Sequence, residues 1–173
     1  MRQGNLLRLV VCAVLCGILA ASAFAQGSRG KAELNAGSGS ITVDYGRPAL
    51  KGRDMFSKLN VGDSWRMGLN QATVLTTPVD LTFGSTKIAK GSYSLFLKKA
   101  AADAYQLTFN TQTGQWGTQH DASKDVASVP MKLEQAATPV EVFTIELKSA
   151  AKGGTFVLLW GTTQLTADFA IGN

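Results

Sequence analysis

From Ile41 onward, apolar and polar residues alternate with a period of two in short runs, which is typical of half-buried β-strands. The run 140–148 shows the pattern most clearly. Phe143, Ile145 and Leu147 fall on one face of an extended chain, and the residues between them fall on the other. A helix would scatter these three side chains, so the pattern predicts strands.

Short runs of this kind recur along the chain at near-regular spacing and predict strands. They span 41–45, 72–77, 79–83, 93–99, 105–110, 129–134, 140–148, 155–160 and 164–171. Glycine-containing segments separate the runs, and we interpret 160–164 as a hairpin turn between two strong strands. Helical turns are predicted only at 54–59 and 121–125. The chain is therefore predicted to be all-β, an antiparallel β-sandwich that is jelly-roll-like or partly closed into a barrel.

The N-terminus predicts a signal peptide over residues 1–25. Arg2 and Arg8 precede a mostly apolar run, which ends in a small-x-small site that predicts cleavage after Ala25. An uncleaved anchor is the first alternative, but the run is short against the about 20 apolar residues that a span requires. A lipoprotein is the second, although no small residue precedes Cys12 or Cys16. We expect a periplasmic or extracellular protein with no membrane span after cleavage.

After cleavage, the small and polar stretch 26–40 is predicted to be a flexible lead-in, followed by a single domain over 41–173. Both cysteines leave with the signal peptide, so the mature chain has no disulfide and no cysteine metal ligand. A domain of about 150 residues can bury enough surface to be stable without them. Because Arg2 and Arg8 also leave, the net charge falls from +5 to 5 − 2 = +3, which is mild, so we expect no nucleic-acid partner. No cofactor is predicted.

Two segments carry the candidate binding chemistry: "DYGRPALKGRDMF" at 44–56 and "WRMGLNQAT" at 65–73. An arginine fork can grip a carboxylate or phosphate with two hydrogen bonds, and the proline and glycines of these segments favour structured loops. One interpretation is a site for a small anion or a carbohydrate, formed by Tyr45, Arg47, Lys51, Arg53, Trp65, Arg66 and Asn70. The alternative is internal bracing, in which the arginines pair with the nearby Asp44, Asp54 and Asp63.

The same motifs resemble a known family. "YGRPALKGR", "WRMGLNQAT", "GSYSLF" at 91–96 and "QWG" at 115–117 are together similar to the bacterial family catalogued as domain of unknown function 2911. The similarity runs from about residue 40 to the end of the chain. It implies an exported bacterial β-protein with no agreed activity. The chain departs from the family pattern at 60–62 and at Leu69, so the tip of the second loop is expected to differ in shape.

Tryptophan and histidine provide the remaining candidates. Trp160 ends an apolar strand and is predicted to be core, whereas Trp65 and Trp116 either stack on a ligand or cover the open end of the sandwich. His120 is the only histidine and lies beside Asp121, with Asp125 close by. These three residues are weak catalytic candidates, and a structural loop histidine is the alternative. Other ligands would have to come from distant strands, so no metal site is predicted.

We therefore expect an exported binding module without catalytic activity, whose ligand lies where the 45–53 loop meets the 65–70 loop. This prediction requires Arg47, Arg53 and Arg66 to reach one solvent-accessible hollow. Two alternatives stay open. One is a hydrolase that uses His120 with a nearby aspartate, and the other is a structural or assembly module of the envelope with an unknown protein partner.

Overall fold

The computed structural model describes residues 29–172, which form ten β-strands and one short 3-10 helix. The strands are β1 (Arg29–Asn35), β2 (Ser40–Gly46), β3 (Ser64–Trp65), β4 (Thr73–Thr77), β5 (Leu81–Phe83), β6 (Thr86–Ile88), β7 (Gly91–Ala101), β8 (Ala104–Asn110), β9 (Asp125–Ala150) and β10 (Gly153–Ile171). The 3-10 helix spans Ala122–Lys124. In this part of the chain, no helix has the length and apolar character to span a bilayer. The predicted signal peptide lies outside the described residues.

The strands form one antiparallel sheet in the order β1-β2-β4-β7-β8-β9-β10-β5-β6, and β3 pairs with β7. The two longest strands fold this sheet over on itself. The first part of β9 pairs with β8, and the rest pairs with β10 as far as the turn at 151–152. Residues 48–50 also pair with β9, through the hydrogen bond from the Phe143 amide to the Pro48 carbonyl (2.9 Å). The prediction of an all-β antiparallel, sandwich-like fold is confirmed.

The core lies between the two layers and is rich in aromatic rings. Phe143 and Ile145 are fully buried, as the alternation in their strand predicts. Trp160 is only 2% exposed and stacks on Trp65, with ring centroids 5.4 Å apart and planes within 10°. Each large side chain buried in this way stabilises the fold by about 1.5–3 kcal/mol. The prediction that Trp160 belongs to the core is confirmed.

The predicted lead-in is not flexible over Arg29–Asn35, because this segment forms β1. It pairs along its whole length with β2, from Arg29 opposite Gly46 to Asn35 opposite Ser40. Ala32 is its only fully buried residue, and charged side chains are exposed around it. An edge strand needs few apolar positions, and exposed charges protect it from pairing with other chains. Because β1 has few apolar residues, the alternation pattern did not predict it as a strand.

Two other local predictions are corrected. Residues 160–164 are not a turn, because β10 continues through them and its register with β9 shifts on either side of Gly161. Gly161 has a φ of 61°, and a positive φ of this kind occurs in β-bulges as well as in turns. Residues 54–59 form bends and a turn and no helix, although the Asp54 carboxylate accepts hydrogen bonds from the Phe56 and Ser57 amides as a helix N-cap would. The predicted helical turn at 121–125 is confirmed by the 3-10 helix.

Candidate functional site

The loop between β3 and β4 is held in a strained conformation. Met67 and Asn70 have positive φ angles of 49° and 65°, which residues other than glycine rarely adopt. Met67 is fully buried, and its carbonyl accepts a 2.6 Å hydrogen bond from the Thr73 hydroxyl. Strain of this kind persists only where the surrounding structure enforces it, and it is common at binding sites. The loop is therefore rigid, and it fixes the side chains that it carries.

Two glycines allow the neighbouring segments to approach this loop closely. A Cβ atom on Gly46, at the end of β2, would lie 2.1 Å from the carbonyl oxygen of Leu69. A Cβ atom on Gly117 would lie 2.7 Å from Cδ of Arg66, and the Gly117 amide donates to the Asn70 carbonyl at 2.8 Å. Gly46 of the first motif and Gly117 are therefore required for this close packing.

Arg66 is the cation that this arrangement positions. Its Nε donates to the carbonyl oxygen of Gly68 at 3.1 Å, and its aliphatic stem packs over Gly117. Arg66 makes no ion pair with any residue between 29 and 172, and no hydrogen bond there engages its terminal amino groups. The half-buried guanidinium thus keeps its charge and two donor groups for a ligand.

Arg66 faces a hollow of about 430 Å³, here called the Arg66 hollow. It is lined by Met55, Ser64, Trp65, Arg66, Phe96, Gly117, Thr118 and His120. Aromatic rings, one cation and two hydroxyl groups therefore meet in one cavity. Such a mixture of a mostly apolar lining with a few polar groups is typical of small-molecule sites.

His120 is fixed on the wall of this hollow. Its ring stacks on Phe96, with centroids 4.0 Å apart and planes 21° apart, and its Nε2 lies 2.9 Å from the Asp125 carboxylate. Asn110 is fully buried and donates to the same carboxylate at 2.7 Å and to the Asp121 carbonyl at 2.8 Å. These contacts orient the imidazole and leave its Nδ1 without a partner among residues 29–172.

Asp121 has a different role from Asp125. Its carboxylate caps the 3-10 helix by accepting hydrogen bonds from the Ser123 hydroxyl (2.6 Å) and the Ser123 amide (3.1 Å). These bonds, the hydroxyl bond first, hold the pKa of Asp121 below its ordinary value, and Lys124 adds to the effect. Of the two candidate partners of His120, the structure brings only Asp125 into contact with the imidazole.

Arg53 lies in a second cavity of about 400 Å³, here called the Arg53 hollow. Its lining residues are Leu50, Gly52, Arg53, Asp54, Met55, Phe56, Pro139, Gly161, Thr162 and Thr163. Nε and Nη2 of Arg53 donate to the carbonyl oxygens of Leu50 and Ala49, at 3.0 and 3.1 Å. Met55 is common to both hollows, so the cavities of Arg53 and Arg66 are neighbours.

The other predicted ligand residues line neither hollow. Tyr45 is buried, and its hydroxyl donates to the Ile145 carbonyl at 3.2 Å. Nε of Arg47 is buried and has no hydrogen-bond partner in the described part of the chain. Lys51 is exposed and has a φ of 50°, and Asn70 contributes its carbonyl to loop packing. Of the predicted set, Trp65 and Arg66 are therefore the residues that share a hollow with His120.

The alternative of arginine–aspartate bracing takes a different form from the one expected. Asp44 pairs with Arg29, Asp54 holds the turn that follows it, and Asp63 accepts from the Asn60 amide at 2.8 Å. Arg53 and Arg66 are anchored by backbone carbonyl groups, which leave a guanidinium charge without a counter-ion. Within residues 29–172, neither arginine forms an ion pair with these aspartates.

Sequence analysis did not identify Phe96, Met55, Ser64 or Thr118 as part of a site. Phe96 lies on the face of β7 opposite Leu95 and Leu97, yet all three are fully buried. A strand with buried side chains on both faces must be covered on both sides. The unbroken apolar run at 95–97 carried this signal, and residues 115–120 form part of the cover.

The fold defines the class of protein, an all-β domain, and the Arg66 hollow is an open depression with an aromatic and cationic lining beside the sheet. The chain belongs to the family described as "Protein of unknown function (DUF2911)", whose model matches residues 28–169. The family resemblance is thereby confirmed. No curated protein and no solved structure is similar enough to the chain to count as a match. In the described region, no group of three or more histidine, cysteine, aspartate or glutamate side chains is placed to hold a metal ion.

Proposed function

We propose that the chain is an exported binding module without catalytic activity, and that its Arg66 hollow holds a small anionic or carbohydrate ligand. One observation carries the proposal. The guanidinium of Arg66 is fixed by a strained loop and by a backbone carbonyl, and it has no acidic partner among the described residues. It lies beside the ring of Trp65 in a cavity large enough for a small molecule.

The physical basis is preorganisation. A free arginine side chain must be immobilised when it binds a ligand, which costs about 0.5–1.5 kcal/mol. Arg66 is already immobilised in the folded protein, so most of this entropy is lost on folding and not on ligand binding. Its terminal amino groups can form a bidentate pair with a carboxylate. One face of the Trp65 ring stacks on Trp160. The part of the ring that lines the hollow, with the hydroxyl groups of Ser64 and Thr118, suits the carbons and hydroxyls of a sugar ring.

The test is a calorimetric titration of the purified protein with sugar acids, neutral sugars and phosphate esters. A charge-assisted hydrogen bond contributes about 1.5–3 kcal/mol, so Arg66→Gln should weaken binding by about tenfold or more. Lys51→Gln is the matched control, because Lys51 lies in the neighbouring loop and lines neither hollow. The proposal fails if none of these ligands binds, or if Arg66→Gln binds as tightly as the wild type.

Export rests on the predicted signal peptide. N-terminal sequencing of the protein recovered from the producing bacterium should begin at Gln26. A mature chain that still begins at residue 1 would contradict this part of the proposal.

A second candidate function is hydrolysis, which the contact between His120 and Asp125 favours. The carboxylate orients the imidazole, and Ser64 provides a hydroxyl in the same hollow. An oriented base and a hydroxyl that line one hollow are two of the groups that nucleophilic catalysis uses. In this case His120→Ala would abolish turnover of ester substrates without a change in fold, and Asp121→Asn would be the control. Equal turnover in His120→Ala, or none in the wild type, would rule out this function.

A further inference from the structure

The Arg66 hollow and the Arg53 hollow are adjacent, and Met55 lines both of them. We propose that they are two subsites of one groove, and that the groove binds an oligosaccharide of acidic sugars across Met55. This inference rests on the proposed function of the Arg66 hollow. It adds a second subsite, a ligand longer than one ring and the requirement for a carboxylate on successive rings.

The two hollows are built on the same aromatic cluster. Trp65 lines one and Phe56 lines the other, and their rings meet edge to face at 6.1 Å. Trp160 contacts both rings: it stacks on Trp65, and its ring centroid lies 6.5 Å from that of Phe56. A cluster of interlocking rings resists rearrangement, so the two cavities keep a fixed position relative to each other. A rigid ligand of the correct length can therefore engage both.

Each hollow contains one arginine that is anchored in the same way. Backbone carbonyl oxygens accept from Nε of Arg66 and from Nε and Nη2 of Arg53. A carbonyl anchor fixes the direction of the side chain without neutralising its charge. Two fixed cations in neighbouring cavities match a ligand with two anionic groups, because each group can form a charge-assisted hydrogen bond.

The remaining polar groups of the Arg53 hollow favour a sugar carboxylate over a phosphate. Asp54 lines this hollow, and its carboxylate would repel a doubly charged group more strongly than a singly charged one. One of its oxygens accepts from the Phe56 and Ser57 amides, and the other can accept from a sugar hydroxyl. Thr162 and Thr163, beside the bulge in β10, add two further hydroxyl groups.

The size of the hollows and the nature of Met55 agree with a ligand that crosses between them. Each cavity is near the small end of the range for small-molecule sites, about 300–1,000 Å³, so a longer ligand has to occupy both. Met55 is half-buried. An unbranched thioether side chain adapts its shape to what lies above it, so it can form the floor beneath a glycosidic link.

The test is calorimetry with galacturonic acid and with its α-1,4-linked dimer and trimer. We expect the dimer to bind the wild type about tenfold or more tightly than the monomer, because the second ring binds at a high effective concentration. Arg53→Gln should remove this gain with length and reduce dimer binding to about the affinity of the monomer. Arg66→Gln should weaken binding of both, and Lys51→Gln should alter neither. Equal melting temperatures would show that the variants fold, and Arg66→Lys replaces Arg66→Gln if that variant does not.

The outcomes separate this inference from the proposed function. Monomer binding that depends on Arg66, with no gain for the dimer or a gain that survives Arg53→Gln, would overturn the two-subsite groove alone. Neutral oligosaccharides of equal length, or poly-glutamate, that bind as tightly as the acidic oligosaccharide would overturn the ligand class. If no sugar acid of any length binds but a neutral sugar or a phosphate ester binds in a way that depends on Arg66, this inference alone fails. If none of the three ligand classes binds, the proposed function and this inference both fail.

Discussion

Gly46 is the residue whose substitution tests the packing of the two loops most directly. A Cβ atom at this position would lie 2.1, 2.6 and 2.8 Å from the carbonyl oxygen, the amide nitrogen and the carbonyl carbon of Leu69. All three are backbone atoms, so no side chain can rotate to relieve the contact. In Gly46→Ala either the end of β2 or the strained 66–70 loop must move by about an ångström to reach ordinary van der Waals separation.

The structure indicates the size of the effect. Adding a methyl group to a well-packed core costs about 1–3 kcal/mol, and contacts with backbone atoms alone belong at the upper end. Displacement of the loop would also weaken the hydrogen bond from Thr73 to Met67, which contributes about 0.5–1.5 kcal/mol. We therefore expect Gly46→Ala to lower the free energy of unfolding by about 3 kcal/mol or more.

Urea unfolding of the purified protein, followed by tryptophan fluorescence, measures this free energy. Gly52→Ala is the matched control, because a Cβ atom there would meet nothing within 4 Å. Its φ of 71° still makes alanine unfavourable, by about 1–2 kcal/mol. A Gly46→Ala variant less destabilised than Gly52→Ala would refute the close contact between β2 and the loop, and with it the rigid placement of Arg66.

Three further substitutions test the surroundings of the Arg66 hollow. Gly117→Ala places a Cβ atom 2.7 Å from Cδ of Arg66, so calorimetry should detect weaker ligand binding while urea unfolding shows a loss of only about 1 kcal/mol. Asn110→Ala removes the two hydrogen bonds that its buried amide donates, so the free energy of unfolding should fall by about 1–3 kcal/mol, although His120 still contacts the Asp125 carboxylate and the Lys124 amide still donates to the Asp121 carbonyl. Since folding lowers the pKa of Asp121, this carboxylate stabilises the fold above its ordinary pKa of 3.8, and the contribution is lost as the pH falls through the lowered value. The stability difference between wild type and Asp121→Asn, measured by urea unfolding from pH 2 to pH 7, should therefore shrink below about pH 4, and a constant difference would contradict this.

The all-β fold could be predicted from sequence because the buried faces of the strands alternate with a period of two, as in Phe143 and Ile145. The edge strand β1 and the bulge at Gly161 could not. β1 buries one alanine, and a glycine with positive φ indicates a turn or a bulge equally well. Whether Gly161 forms a turn or a bulge depends on whether β10 keeps its pairing with β9 on both sides of this residue, and residues 160–164 alone do not determine that.

The same limit applies to the candidate site. Trp65 and Arg66 are candidate ligand residues that a local loop motif predicts, and the structure places both on one hollow. Arg47 and Arg53 are separated by the pairing of residues 48–50 with β9, and that pairing depends on a strand more distant in sequence. The sequence also contained no sign that His120 would stack on Phe96, because the contact requires residues 115–120 to fold back over β7. Local motifs therefore indicate which residues are candidates for the site, and pairing between residues distant in sequence determines which candidates lie together.

Two variants of Asn70 test whether its side-chain amide contacts the ligand or its backbone conformation shapes the loop. Asn70 is a predicted ligand residue, whereas in the structure its φ is 65° and its backbone carbonyl accepts from the Gly117 amide. Glycine adopts this φ without strain, so Asn70→Gly should retain both stability and ligand binding if only the backbone matters. Asn70→Ala also lacks the side-chain amide, but its free energy of unfolding should fall by about 1 kcal/mol because alanine is strained at this φ.

The two variants separate the contribution of the Asn70 backbone from that of its side chain. Both lack the side-chain amide, and only glycine adopts the φ angle without strain. Binding that is retained in Asn70→Gly and weakened in Asn70→Ala assigns Asn70 to the loop that holds Arg66. Equal loss of binding in both variants, with the stability of Asn70→Gly unchanged, would show instead that the amide contacts the ligand. The ligand would then extend from the Arg66 hollow towards Asn70, and the loop would be part of the binding surface as well as its support.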